Sequence, residues 1–214
     1  MDNKNLNNLL KWSIENQTAN QSGETAPAAP ASSLTPEDLA ALFGGGPSDA
    51  ELMKAAMEAV TSTDPEVTLD TKLVAFDNFE QLIENLDNAN NIANLSLWTP
   101  LLSCLEHDEH EIRRMAAWCV GTAVQNNEPS QERLLAVGGI PPLVTLATKE
   151  GEKEAVRRKA IYALSSAVRN YQPATDALTD ELAKKGIRSG KVEASNMDAI
   201  DEVMNDLKAR ISAA

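Results

Sequence analysis

Aromatic side chains are scarce in this chain, with Phe, Trp and Tyr together making up 4% of 214 residues. Sheets are rich in aromatic and β-branched residues, so a chain dominated by Leu, Ala and Glu points to helices instead. Positive charge is also in deficit. Against 32 Asp and Glu there are 19 Lys and Arg, a net charge of -13. A surface of that sign repels phosphate backbones and anionic headgroups, which excludes nucleic acid and membrane as default partners. No apolar run approaches the roughly 20 residues a membrane span needs. The opening MDNKNLNNLLKWSIEN has no apolar core bounded by a cleavage site. A cytosolic protein is expected.

Cysteine and histidine are nearly missing as well. Cys104 and Cys119 each lie in an apolar helical pattern, where a thiol behaves as a small buried hydrophobe, and no disulfide is expected. His107 and His110 fall in EHDEHE. A structural zinc site needs four ligands and no other Cys or His is near in sequence, so a solvated loop without metal is expected. Nucleophilic catalysis needs a Ser or Cys beside a positioned base. Cys104 stands three residues before His107, but the Leu101 to Leu105 pattern places it in the core. In so acidic a chain, paired carboxylates carry little information about acid-base work. No catalytic residue and no cofactor are expected.

What is present is helical periodicity. Leu6, Leu9, Leu10 and Ile14, with Trp12 beside them, form an amphipathic helix over residues 1–16. Residues 17–47 read as a flexible linker containing a short helix and a glycine-rich hinge. QTANQSGETAPAAPASS has nothing to bury, Thr35-Pro36-Glu37 starts a helix, and Gly44-Gly45-Gly46-Pro47 stops it. Ser48 and Glu51 then form a capping box, so the folded domain begins there.

From this point the sequence repeats. EIRRMAAWCVGTAVQNN, from Glu111, aligns with AVRRKAIYALSSAVRNY, from Ala155, at a shift of about 44 residues. Ala75, Phe79, Ile83 and Asn85 correspond to Ala116, Val120, Val124 and Asn126 at a shift of about 41. A shorter apolar helix precedes each later copy, carrying Leu97, Trp98, Leu101, Leu102 and Leu105, then Ile140, Leu143, Val144 and Leu146. Helix pairs with this period predict an all-α fold, a short armadillo-like α-solenoid over 48–171, with a flexible N-terminal segment and a C-terminal helical cap over 172–214. In the first copy Phe76, Phe79, Leu82, Ile83 and Leu86 are expected to face the core. The opposite side then falls to Asp77, Gln81, Glu84 and Asn85, to Trp118, Thr122, Gln125 and Asn126, and to Tyr162, Ser166, Arg169 and Asn170. Three copies aligned on one surface point to a protein-binding groove. Arg113, Arg114, Lys153, Arg157, Arg158 and Lys159 cluster at the starts of two long helices, where the helix dipole does not explain them.

KLVAFDNFEQLIENLDNANNI, from Lys72 to Ile92, with LLKWSIEN from Leu9 and LFGGGPSDAELMK from Leu42, resembles the armadillo-type nucleotide exchange factors of the heat-shock protein 70 chaperones, fungal cytosolic branch. The resemblance implies a monomeric binding protein, not an enzyme, that grips the chaperone's nucleotide-binding domain and hastens ADP release, and with it client release. It places partner contacts at Asp77, Gln81, Glu84, Asn85, Asn88, Ala89 and Asn91, with Ala89 kept small for close approach. Trp118, Thr122, Gln125, Tyr162 and Arg169 join them through the internal alignment. It also implies that Leu9, Leu10, Trp12 and Ile14 mimic a client at the chaperone; the alternative for these residues is a helix that docks on the solenoid. The alternative is an armadillo adaptor holding an extended peptide, but such grooves pair Trp with Asn, and here Thr122 follows Trp118 and Ser166 follows Tyr162.

Overall fold

The computed structural model describes residues 47–187 and 190–212. The chain divides into two units after Pro47, and the elements below belong to the second. The helix expected over 1–16, with Leu9, Leu10, Trp12 and Ile14, and the linker with its short helix lie outside the described residues.

Helix α1, Asp49–Thr61, starts where its capping box requires. Ser48 Oγ accepts from the Glu51 backbone N–H at 3.3 Å, and the Glu51 carboxylate accepts from Ser48 N at 2.8 Å. The remaining helices are α2, Leu69–Ile83; α3, Leu86–Asn94; α4, Trp98–Ser103, continued by a 3-10 turn; α5, His110–Val124; α6, Glu128–Ala136; α7, Ile140–Thr148; α8, Glu154–Val168; α9, Gln172–Lys184; and α10, Met197–Ser212. Every regular element among the described residues is helical. None is long and apolar enough to cross a membrane.

The repeat unit has three helices rather than two. Each apolar middle helix, α4 or α7, is preceded by a nine-residue helix, α3 or α6, and followed by a long one, α5 or α8. α3 and α6 carry so many amides and charges that periodicity alone reads them as connections. The polar run after Ile83 is therefore not a continuation of α2. The Asn85 side chain caps α3, accepting from Asp87 N at 2.9 Å and Asn88 N at 3.3 Å. That break turns Leu86 outward, 56% exposed, where the sequence led us to expect core. Phe76, Phe79 and Ile83 are buried as expected, and Leu82 only partly.

The turns repeat as faithfully as the helices. After α3, α6 and α9 one residue takes a left-handed conformation: Ser96 at φ 60°, Gly138 at 75° and Gly186 at 66°. The next amide closes a six-residue ring onto the helix, from Leu97 N to Ile92 O at 3.0 Å, Gly139 N to Leu134 O at 2.9 Å and Ile187 N to Leu182 O at 3.0 Å. Thus α9 ends as a repeat's first helix ends. Past it, Ile200, Val203, Met204, Leu207 and Ile211 of α10 are buried, and α10 packs on α7 and α8. This covers the end of the stack, as a solenoid terminus requires.

Ser96 is the one turn of the three without glycine. We expect Ser96→Gly to raise unfolding free energy by about 0.5–1 kcal/mol, since a Cβ disfavours the left-handed region. Gly138→Ala, with nothing within 4 Å of the added carbon, should lose about 1 kcal/mol by the same mechanism. Urea unfolding of the two variants measures both.

Candidate partner-binding surface

The long helix α5 is packed between α2 and α8. Nine of its fifteen residues are buried, from Ile112 to Val124. Trp118 and Thr122 are left half-buried and Gln125 exposed along one line. Together with Glu80 and Glu84 of α2, Asn126, and Tyr162 of α8 they line a hollow of about 360 Å³.

The hollow's walls are bonded to one another. Thr122 Oγ1 donates to Glu80 Oε1 at 2.7 Å. The Tyr162 hydroxyl donates to Gln125 Oε1 at 3.0 Å. Lys159 Nζ stands 3.6 Å from the centroid of the Trp118 ring and 5.5 Å from that of Tyr162, so one cation bridges two aromatic faces. Burial pulls the Lys159 ammonium below its ordinary range, Arg114 adds to the shift, and Glu80 opposes it. Gly121 makes this closeness possible, because a Cβ there would lie 2.4 Å from the Tyr162 ring. Beyond Tyr162 the surface passes to α10: Arg169 donates to Ser165 Oγ at 3.1 Å and to Met197 Sδ at 3.3 Å, and pairs with Asp201.

Comparison with known proteins decides what carries this surface. The family described as "Nucleotide exchange factor Fes1" matches residues 6–92, and the "SIL1/FES1/HPBP1 C-terminal domain" matches residues 88–182. Over 210 residues the chain is 67% identical to the Hsp70 nucleotide exchange factor FES1 of Gibberella zeae, with 98% of each chain covered. It is 54% identical over 245 residues to the fes-1 protein of Neurospora crassa, with 99% of each covered. This chain belongs to the FES1 family. A crystal structure of an engineered protein matches its fold at a TM-score of 0.54 and 19% identity, over 82% of this chain and 71% of that one.

In this FES1-family chain the residues singled out from sequence divide into three groups. Glu84, Trp118, Thr122, Gln125 and Tyr162 share the hollow, and Arg169 continues its line. Asp77 and Gln81 are exposed one turn apart on α2 and bonded to each other at 2.8 Å. Gln81 also borders a separate hollow of about 450 Å³ with Leu52, Ala55 and Asn78. Asn85, Asn88, Ala89 and Asn91 belong to α3 and its cap. Asn88 Nδ2 donates to Asp49 Oδ2 at 2.8 Å and to Leu82 O at 2.9 Å, holding α3 to the first turn of α1. Asn91 accepts from Asn94 at 3.2 Å. Ala89 is 2% exposed, so its small side chain serves internal packing. An arginine there would disrupt the core before it met any partner.

The internal alignment also misassigned some positions. Asn126 and Asn170 recur because each takes a positive φ, 51° and 60°, which Asn tolerates better than most residues. Asn126 still lines the hollow, but the recurrence is backbone chemistry. Ser166 is buried, and its half-buried neighbour Ser165 meets Arg169 instead. Glu80, Gly121 and Asp201 were not found from sequence, and Lys159 was found only as part of the basic cluster. A signal existed for two of them, since Glu80 and Lys159 stand where the neighbouring copy has Gly121 and Met115.

Most of the basic cluster is structural. Arg113 makes a bidentate pair with Glu152, both bonds 2.8 Å, and donates to the His107 and Asp108 carbonyls at 2.6 and 2.7 Å. Arg157, its counterpart one repeat on, donates to Ala147 O at 3.1 Å and Arg210 O at 3.2 Å. Cys104 is buried, which pushes its thiol up to about 11, so it is no nucleophile at neutral pH. No group of His, Cys, Asp and Glu that could hold a metal ion occurs among the described residues.

Removing one side of the Arg113–Glu152 pair, whose side chains are 12% and 1% exposed, leaves a buried carboxylate with only the more distant Lys149 ammonium, at 3.7 Å, and the Lys153 amide. Arg113→Ala should cost about 3 kcal/mol. Arg158→Ala, breaking an exposed pair with Glu154, should cost less than about 0.5 kcal/mol. Burial pushes the Glu152 carboxyl up, but hydrogen bonds from Arg113 and the Lys153 amide outweigh it and leave it below the ordinary carboxylate range. A carboxyl lower in the folded than the unfolded state stabilises at high pH and loses that contribution as pH falls through its folded value. Denaturation below about pH 4 should therefore show a smaller Arg113→Ala deficit than at neutral pH.

Proposed function

We propose that this chain is a cytosolic nucleotide exchange factor that acts by binding alone. It holds the nucleotide-binding domain of an Hsp70 chaperone with the surface along α2, α5 and α8, and speeds loss of ADP. ATP then rebinds and the client is released. The observation that carries this reading is the hollow around Trp118, built by three successive long helices of a chain whose FES1 relatives match it from end to end.

The physical requirement is differential affinity. A surface that bound the closed, ADP-loaded domain and the open, empty one equally well would shift nothing. The chain must prefer the open state, and by linkage ADP and the chain weaken each other's binding by the same factor. Couplings between two ligands of one protein commonly amount to about 1–3 kcal/mol, or roughly 5- to 150-fold. A bonded wall suits the task. Because the Glu80–Thr122 and Tyr162–Gln125 contacts are already made, little side-chain freedom remains to be lost on docking. The adaptor reading finds no support here, since Lys159 occupies the Trp118 face that an extended peptide would need.

Stopped-flow release of fluorescent ADP from the isolated nucleotide-binding domain tests the proposal. The wild-type chain at micromolar concentration should accelerate release by at least about fivefold. Trp118→Ala should weaken binding by about 2 kcal/mol, as buried aromatic anchors do. Gln125→Arg, which fills the hollow from an exposed position, should reduce acceleration while circular dichroism shows the helical fold intact. Equal release rates with and without the wild-type chain would refute the reading.

A further inference from the structure

Glu80 is the least expected member of the hollow. It lies 5% exposed in the apolar stripe of α2, yet lines the opening. Its one side-chain bond is the Thr122 hydroxyl on Oε1, and it forms no ion pair among the described residues. A carboxylate this withdrawn from water is ordinarily held by a cation or by several N–H donors. The cation whose field reaches it, Lys159, is stationed over the Trp118 ring instead. The exposed Glu84 carboxylate borders the same opening, and so do the Gln125 and Asn126 amides, the first already accepting from Tyr162. The hollow therefore holds two carboxylates, one of them deep and in no ion pair among the described residues, with Lys159 acting on it only from over the ring.

We infer that this hollow is a slot for an arginine side chain of the bound chaperone, which rests on the exchange-factor reading above. A guanidinium is weakly hydrated and planar, with five donors. It can serve the Glu80 and Glu84 carboxylates and an amide oxygen at once while lying beside an aromatic ring, which a compact ammonium cannot. The guest completes an ion pair that Glu80 does not make among the described residues. The excess of acid over base in the whole chain favours encounter with a basic face.

Glu80→Gln keeps the shape and the acceptor for Thr122 but removes the charge. Its affinity for the nucleotide-binding domain, measured by calorimetry over a range of salt, should fall by at least about tenfold with a shallower salt dependence. Its melting temperature should be unchanged or higher, because an uncompensated buried carboxylate is gone. Glu84→Gln, exposed and safe for the fold, should weaken binding by about threefold with the same flattening of the salt response. Wild-type affinity in both variants would overturn the slot. Loss of stability in Glu80→Gln at undiminished affinity would also overturn it, by assigning Glu80 to Lys159 as a structural pair. If the wild-type chain itself fails to bind, the functional reading falls and the slot with it, an outcome distinct from binding that ignores the two variants.

Discussion

Close approach of α5 to α8 is the constraint on which the rest of the structure depends. Gly121 lies against Tyr162 and the backbone of Ala163. Ala116, Ala117 and Ala123 on one helix, and Ala160, Ala163 and Ala167 on the other, are all fully buried. Small residues along a seam let two helices approach until the larger residues at its edge meet across it. Trp118, Lys159, Tyr162 and Gln125 are those edge residues, so the geometry of the candidate surface follows from the packing behind it.

Charge is deployed in two ways. At the loops between middle and long helices, arginine is used inwardly, with Arg113 and Arg157 binding carbonyl groups one repeat apart. These side chains neutralise helix ends and a buried carboxylate, and offer little to a partner. Along α2 the opposite holds, where Asp77 and Glu84 remain exposed. These two arginines are thus committed within the fold, while these two carboxylates of α2 face outward.

Much of this architecture was legible in the sequence. Two long copies at a shift of about 44 residues revealed the repeat, and apolar spacing located the cores of α2, α5, α8 and α10. The nine-residue α3 and α6 were missed because two and a half turns of polar sequence give periodicity little to work with. Asn85 is exposed as expected, but its role as a cap was not seen, because a cap satisfies backbone groups and leaves no apolar trace. At the site, residues found by alignment on the long helices came together, while those on α3 did not join them. Ala89 shows why, since smallness looks alike whether it admits a partner or a neighbouring helix. Lys159 was grouped with the basic cluster, because only three dimensions show that its nitrogen rests on Trp118.

The pairing of Arg169 with Asp201 and Met197 joins the last helix to the edge of the surface. Terminal helices of a stack usually serve only to shield an apolar end from water. Here the shield also supplies an anchor for a residue that would otherwise swing, so the position of that arginine depends on whether α10 is docked or frayed. Helix α10 thus acts as a clasp, and fraying there would be transmitted along one guanidinium to the surface that begins at Tyr162 on the same long helix.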